Sequence, residues 1–244
     1  GAGPLYSTTW NSVTASSGSH ILTAVATDTN GLVSTSAPVT VTVANSGSLL
    51  PGATFVKLDT TTSGNWIGVY GQDGEYVAAE TNNAPPSYVK AQNLNMVGGT
   101  AYTWIDTQPA DSTDPRGLQA IPPGTGSFGA GRNPSAWYSL TTESIRVTVT
   151  DGLAHQLALY CVDFDSTHRT EDIEILDANT KAVLDKRSLT NFHGGVYLVW
   201  NITGDIIIRA TYTGQTGQAY SDAVVSGLFF RPFSGSPAPE VTLT

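Results

Sequence analysis

The chain has 244 residues, of which 40% are hydrophobic and only 13% are charged, so it can form a packed core while its surface depends on uncharged polar side chains. A formal net charge of −9 argues against nucleic acid as a partner, because nucleic-acid binding needs clustered lysine and arginine. No apolar run approaches the ~20 residues of a membrane helix, and the first four residues show neither the basic nor the apolar segment of a signal peptide. The sequence therefore predicts no nucleic-acid partner and no insertion into a membrane.

Residue usage predicts an all-β protein. Threonine, serine, valine, glycine and tyrosine are abundant, and no long segment has apolar residues at helical spacing. Cys161 is the only cysteine, which excludes an intrachain disulfide and suits a small core residue. An acidic, threonine-rich chain with one cysteine is typical of secreted bacterial proteins, so we expect an extracellular or cell-surface location.

Residues 1–45 contain the strands of about half a β-sandwich. Residues 21–27 read as a strand, Asp28-Thr-Asn-Gly31 as a turn, and residues 38–43 as a final alternating strand. Together with Trp10 and the Gly18-Ser-His segment, this pattern resembles the second half of the immunoglobulin-like repeats of bacterial surface and secreted proteins. The resemblance implies a partial immunoglobulin-like domain in residues 1–45.

A half-sandwich of this kind would expose an apolar face and unpaired strand edges. Residues 237–244 look like the opening strand of another such repeat, so we expect residues 234–244 to be a linker followed by that strand. Two alternatives remain. Either the chain is a fragment of a longer multidomain protein, or the last strand of one copy completes the half-domain of the next and forms a head-to-tail filament.

Residues 46–52 have the composition of a linker, and a second domain is expected over residues 53–233. About a dozen short strands with hairpin-length turns, among them residues 66–70, 88–92 and the closing strand 223–230, predict a two-sheet sandwich or jelly roll. Between residues 107 and 134 runs a long irregular stretch rich in proline, glycine and aspartate, typical of a functional or mobile loop.

The segment from His155 to Asp185 is the first candidate for a site. Apolar residues alternate along its first strand, so the face with Leu157, Leu159 and Cys161 should be well buried and the other face partly buried. The alternation resumes at Ile173 and Ile175. The polar loop between the two strands carries three acidic and two potentially cationic side chains, namely Asp163, Asp165, Glu171, His168 and Arg169.

Four segments near the end of the chain resemble the second half of malectin-like and galactose-binding-like β-sandwiches. They are Gln156–Tyr160, Asp172–Asp177, Asp205–Thr211 and Ala223–Leu228. Those sandwiches include many carbohydrate-binding modules of secreted bacterial glycoside hydrolases. The resemblance implies a jelly-roll or galactose-binding-like fold and a non-catalytic role, with a polysaccharide or cell-surface glycan as the partner.

Sugar binding requires aromatic faces for the C–H side of a pyranose ring and polar groups for its hydroxyls. The candidates lie around the Gly71–Gly74 turn, just after the long stretch, and in the polar loop: Trp66, Tyr70, Tyr76, Trp137, Tyr138, Asp163, Asp165 and Arg169. For Trp66, Trp104 and Trp200 we favour a core position, since buried tryptophan is common in β-sandwiches.

Calcium is the one cofactor that the sequence suggests. Asp163 and Asp165 with Glu171 could supply hard oxygen ligands, as could Asp106, Asp111 and Asp114, although neither set has the spacing of an EF-hand. The alternative, which we favour, is that these acids are solvated or pair with nearby cationic side chains. No nucleophile, zinc or phosphate motif occurs, so we expect no enzyme.

Overall fold

The computed structural model describes residues 8, 10, 18–43, 50–104, 113–120, 131–215, 217 and 219–233. These residues are all-β, with eighteen strands and one 3₁₀ turn, which confirms the predicted fold class. They divide into two compact units, residues 18–43 in the first and 50–233 in the second. In the described part of the chain, no helix has the length and apolarity needed to cross a membrane.

The first unit contains two short antiparallel pairs. β1 (Gly18–Leu22) pairs with β4 (Val39–Val43), and β2 (Val25–Thr27) pairs with β3 (Val33–Thr35). The sequence predicted one continuous strand over residues 21–27, but the chain changes partner there and the strand breaks. The predicted turn is confirmed, since the Asp28 carboxylate accepts hydrogen bonds from two backbone N–H groups downstream.

Apolar side chains of these pairs are open to solvent. Ile21, Val25 and Val33 are 70%, 63% and 58% exposed. The immunoglobulin-like resemblance and the filament alternative stay predictions, because residues 234–244 lie outside the described residues.

The second unit is built from fourteen described strands in three main sheets and one two-stranded ladder. The strands are β5 (Gly52–Asp59), β6 (Gly74–Val77), β7 (Thr100–Thr103), β8 (Leu118–Gln119), β9 (Arg132–Asn133), β10 (Ser135–Ser139), β11 (Thr142–Thr148), β12 (His155–Cys161), β13 (Glu171–Asp177), β14 (Val183–Leu189), β15 (Val196–Thr203), β16 (Asp205–Tyr212), β17 (Ala223–Val225) and β18 (Gly227–Pro232). The sheet orders are β5-β15-β12-β18-β6, β11-β16-β13-β14 and β17-β10-β7, and β8 pairs with β9.

The five-stranded and four-stranded sheets pack face to face around the main core. Alternate residues of β12, namely Leu157, Leu159 and Cys161, share this core with Ile173 and Ile175 of β13. All five side chains are fully buried, so the predicted alternation and the predicted core position of Cys161 are confirmed. The second unit is therefore a β-sandwich.

The five-stranded sheet is also buried on its other face, where the sequence predicted only partial burial. Tyr160 and Tyr197 lie there in a second cluster with Trp66, Tyr70 and Phe229. The predicted strand over residues 66–70 is wrong: the N–H groups of Val69 and Tyr70 both donate to the Trp66 carbonyl, which makes a turn that lies on the sheet.

Two other predicted strands differ in the structure. Residues 88–92 form an isolated bridge at Val89 and a 3₁₀ turn over Ala91–Asn93. The closing strand breaks at Ser226, whose N–H donates to the Tyr160 carbonyl, and there the chain passes from the three-stranded to the five-stranded sheet. The described parts of the long irregular stretch contribute the β8–β9 ladder, and residues 105–112 and 121–130 lie outside the described residues.

We expect Leu159→Ala to lower the free energy of unfolding by about 2–5 kcal/mol, because it removes a fully buried side chain between two sheets and leaves a cavity. Leu140→Ala is the matched control, since Leu140 is 66% exposed and its loss should change stability by less than about 0.5 kcal/mol. Urea denaturation of both variants measures the difference. Equal destabilisation would contradict the described core.

Candidate functional site

A pocket of about 160 Å³ opens on the three-stranded sheet. The strand register places Tyr102 opposite Ala136 and Tyr138 opposite Val224, so these four side chains share one face. Segments that follow or precede strands supply the rest of the lining. We call this space the Arg169 pocket; it is lined by Tyr102, Trp104, Ala136, Tyr138, Asp165, Arg169, Tyr220, Asp222 and Val224.

Aromatic rings form much of the pocket wall. Tyr102 meets Trp104 and Tyr138 edge to face, with ring centroids 6.2 and 6.0 Å apart. Phe164 stacks on Trp104 at 5.0 Å and lies 4.4 Å from the guanidinium carbon of Arg116, so Trp104 is supported from behind. Because Tyr102 is 44% exposed, part of its surface is open to a ligand.

Arg169 forms the polar floor of the pocket and is only 3% exposed. Its Nε donates to Asp222 Oδ1, and its Nη1 donates to Oδ1 of both Asp163 and Asp165, each at 2.5 Å. Burial alone would lower the pKa of Arg169, but the hydrogen bonds to the three carboxylates outweigh burial and raise that pKa above its usual range. The guanidinium is thus held as a fixed cation.

Side-chain hydrogen bonds hold the loop between β12 and β13 in place. The Asp163 carboxylate accepts hydrogen bonds from Ser166 Oγ at 2.6 Å and from the backbone N–H of Arg169 at 3.1 Å. On its outer side, His193 Nδ1 lies 2.8 Å from the Asp163 carbonyl oxygen and 2.6 Å from that of Ser166. These hydrogen bonds join Asp163 at the start of the loop to Ser166 and Arg169 further along it, and so restrict where Asp165 and Arg169 project.

Two glutamates are buried beside the β17 wall of the pocket, and one of them, Glu171, holds that wall by a hydrogen bond. Glu171 is fully buried, and its Oε2 accepts a hydrogen bond from the Val224 N–H at 2.7 Å. Burial raises the pKa of Glu171 to about 8, and burial together with the nearby Glu171 and Asp222 carboxyls raises the pKa of Glu143 to about 9. Both glutamates are therefore neutral at pH 7.

Four of the eight predicted ligand-binding residues meet at this pocket. Tyr138, Asp165 and Arg169 line it, and Asp163 lies behind Arg169 as one of its carboxylate partners. Trp137 and Tyr138 project to opposite faces of β10, as expected for neighbours in a strand, and Trp137 is buried with its ring stacked on Tyr76 at 5.3 Å.

The other aromatic candidates do not line the pocket, and two of them are buried. Trp66 is buried with its ring 4.8 Å from that of Phe229, and Tyr70 is buried, stacked on Tyr197 at 4.4 Å. The faces of both rings pack within the apolar cluster that covers the five-stranded sheet. Trp66 and Tyr70 therefore have no face free for a sugar, and Tyr76 is half-buried against Trp137.

The three predicted calcium ligands do not fit a calcium site. Asp163 and Asp165 both bind the Arg169 guanidinium, whose positive charge takes the place that a cation would need, and Glu171 binds a backbone N–H. Across the described ranges, no group of three or more histidine, cysteine, aspartate or glutamate side chains could hold a metal ion. Asp106 and Asp111 lie outside those ranges, so calcium stays a prediction for direct titration.

Sequence reasoning missed six of the nine residues that line the pocket, and four of these six have aromatic or charged side chains. Tyr102 and Trp104 alternate with period two, a signal that could have placed them on one face, although the sequence favoured a core position for Trp104. Tyr220 and Asp222 carried no such signal, because Asp222 is 53 residues from Arg169 and meets it only through the fold.

No protein-family model matches the chain, and no curated protein matches it either. Among solved structures, it is similar to an exo-β-1,3-galactanase from Phanerochaete chrysosporium with β-1,3-galactotriose, at 15% identity and a TM-score of 0.32, over 67% of this chain and 29% of that one.

Two structures from Clostridium perfringens ZmpB are also similar. One holds CBM51-2 in complex with GlcNAc and INT domains, at 9% identity and a TM-score of 0.31, over 88% of this chain and 38% of that one. The other holds the M60 catalytic domain with CBM51-1 and CBM51-2, at 11% identity and a TM-score of 0.33, over 88% of this chain and 18% of that one. The chain thus spans less than two fifths of each, and likenesses this distant carry no argument about what it binds.

The two buried glutamates should make stability depend on pH. The unfolded chain ionises Glu143 and Glu171 near pH 4.5, whereas the folded protein keeps Glu143 protonated to about pH 9 and Glu171 to about pH 8. The folded state then binds more protons, so the free energy of unfolding should fall as pH rises through this window, by up to ~1.4 kcal/mol per pH unit for each group.

Glu143→Gln preserves the neutral form and should flatten this decline in urea denaturation at several pH values. Glu174→Gln is the control, because Glu174 pairs with Arg209 on the outer face of the four-stranded sheet and should leave the slope unchanged. An unaltered slope in Glu143→Gln would contradict the assignment.

Proposed function

We propose that the second unit is a non-catalytic glycan-binding module and that the Arg169 pocket holds a sugar residue. The observation that carries the proposal is the convergence of exposed aromatic surface and fixed polar groups in one pocket. A pyranose has the same two-sided character, with C–H groups on its faces and hydroxyls on its edges. Tyr102, Trp104 and Tyr138 suit the faces, while Asp165 and Asp222 suit the hydroxyls.

The polar groups are preorganised for hydroxyl recognition. Arg169 contacts Asp165 and Asp222 through Oδ1 of each, so Oδ2 of each is not used by the guanidinium. A carboxylate oxygen held in place accepts a hydroxyl proton without first ordering a flexible side chain, which lowers the entropic cost of binding. The ion pairs that build the pocket therefore also prepare it for a ligand.

The pocket volume suits one sugar residue with the remainder of the glycan outside. Its 160 Å³ lies below the ~300–1,000 Å³ of sites that enclose drug-sized ligands. Tyr220 is 44% exposed, so the rim of the pocket is open to solvent on its side. A polysaccharide or a cell-surface glycan outside the cell is the partner that we propose.

The carboxyl groups favour binding over hydrolysis. A glycosidase commonly needs one protonated carboxylic acid and one ionised carboxylate facing each other across the substrate. Asp165 and Asp222 both accept hydrogen bonds from the same guanidinium, so neither is placed as a proton donor. The carboxyls that are neutral at pH 7, Glu143 and Glu171, are buried at 1% and 0% exposure and do not line the pocket.

Glycan-array screening of the whole 244-residue chain tests the proposal, with Tyr102→Ala and Phe233→Ala compared on every glycan that binds. Tyr102→Ala should weaken binding about tenfold, since it removes an exposed ring from the pocket wall. Phe233→Ala is a matched control, because Phe233 is 42% exposed and does not line the pocket. Absence of specific binding by the parent chain, or equal loss in both variants, would overturn the proposal.

The filament remains an alternative for the first unit. It predicts polymers of the full chain that disappear when residues 237–244 are removed, and the exposed Ile21, Val25 and Val33 are the apolar surface on which it would depend. Light scattering and negative-stain microscopy of both forms measure this. A monomer in both would contradict strand exchange and leave the glycan proposal untouched.

A further inference from the structure

We propose that the Arg169 pocket selects uncharged sugars and rejects sugars that carry a carboxylate or a sulfate. This inference rests on the proposed glycan-binding function and adds the chemical class of the ligand. It runs against the simplest interpretation of an arginine in a sugar-sized pocket, which is a receptor for acidic sugars.

The contacts of Arg169 argue against that simplest interpretation. An anion receptor needs guanidinium N–H groups that point at the ligand, but three of the five N–H groups of Arg169, on Nε and Nη1, already donate to three aspartates. The side chain is 3% exposed, so an acidic sugar would have to displace an aspartate to reach these donors. The displaced carboxylate would then lose the partner that offsets its desolvation.

The net charge around the pocket is negative. Asp163, Asp165 and Asp222 contribute three negative charges and Arg169 one positive charge, which leaves a net charge of −2. Arg116, on the far side of the Trp104–Phe164 stack, is paired with Asp114 at 2.7 Å and adds no net charge. Glu171, which holds the pocket wall, is neutral at pH 7 because burial raises its pKa.

The aromatic wall acts in the same direction. The face of a tyrosine or tryptophan ring carries the negative part of its quadrupole, so it attracts C–H groups and repels an anion. Three aromatic side chains line the pocket together with Asp165 and Asp222: Tyr102, Trp104 and Tyr138. A neutral pyranose meets favourable contacts on both kinds of surface, whereas a carboxylated one is repelled by both.

The test uses matched pairs of sugars that differ only at C6: glucose with glucuronate, galactose with galacturonate, and mannose with mannuronate. For whichever hexose binds the full chain, calorimetry at low and at physiological ionic strength gives the two affinities. We expect the uronate to bind about tenfold more weakly at low salt, from the repulsion of two net charges, and the gap to narrow as salt is added.

Asp165→Asn removes one of the net charges and should reduce the discrimination to about threefold. Asp151→Asn is its matched control: both aspartates have side chains 31% exposed and pair with a basic residue four positions later, but Asp151 does not line the pocket. Discrimination in the control should stay at its original value.

Three results would overturn the inference. They are a uronate that binds as tightly as its neutral partner, discrimination that does not respond to salt, and equal discrimination in Asp165→Asn and the control. Each of them leaves glycan binding intact. If no hexose, disaccharide or longer glycan binds at all, the proposed function itself fails, so the two failures are distinguishable.

Discussion

The candidate site depends on one electrostatic constraint, the burial of a guanidinium among three carboxylates. A buried arginine without partners would be strongly destabilising, and three clustered aspartates without a cation would repel one another. The three aspartates, Asp163, Asp165 and Asp222, offset the cost of burying the Arg169 charge, and Arg169 offsets the repulsion among the aspartates. The result joins the loop after β12 to the segment before β17 and leaves excess negative charge at the pocket.

The second constraint is the double burial of the five-stranded sheet. One face packs on the four-stranded sheet, and the other is covered by the turn that carries Trp66 and Tyr70. A central strand such as β12 is therefore apolar on both sides, as its burial along the whole strand shows. This rigid layer positions the polar loop, because the loop begins where β12 ends and the contacts of His193 hold it against the connection between β14 and β15.

Much of this architecture could be predicted from the sequence, because alternation of apolar residues reports burial directly. The strands around Leu157 and Ile173 and the polar loop between them follow from period-two patterning alone. The aromatic residues were harder, because Trp66 and Tyr102 both lie among mixed small, polar and apolar residues, yet one is in the core and the other is at the surface. The partnership of Arg169 with Asp222 could not be predicted, since it depends on strand pairing between distant segments.

The break at Ser226 has a mechanical consequence. On one side of it lies the pocket wall, and on the other lies a central strand of the sandwich, with no flexible connection between them. A ligand bound in the pocket would contact a wall that continues directly into a strand of the sandwich. Because it would bind only the folded unit, it would raise the melting temperature of the second unit as a whole.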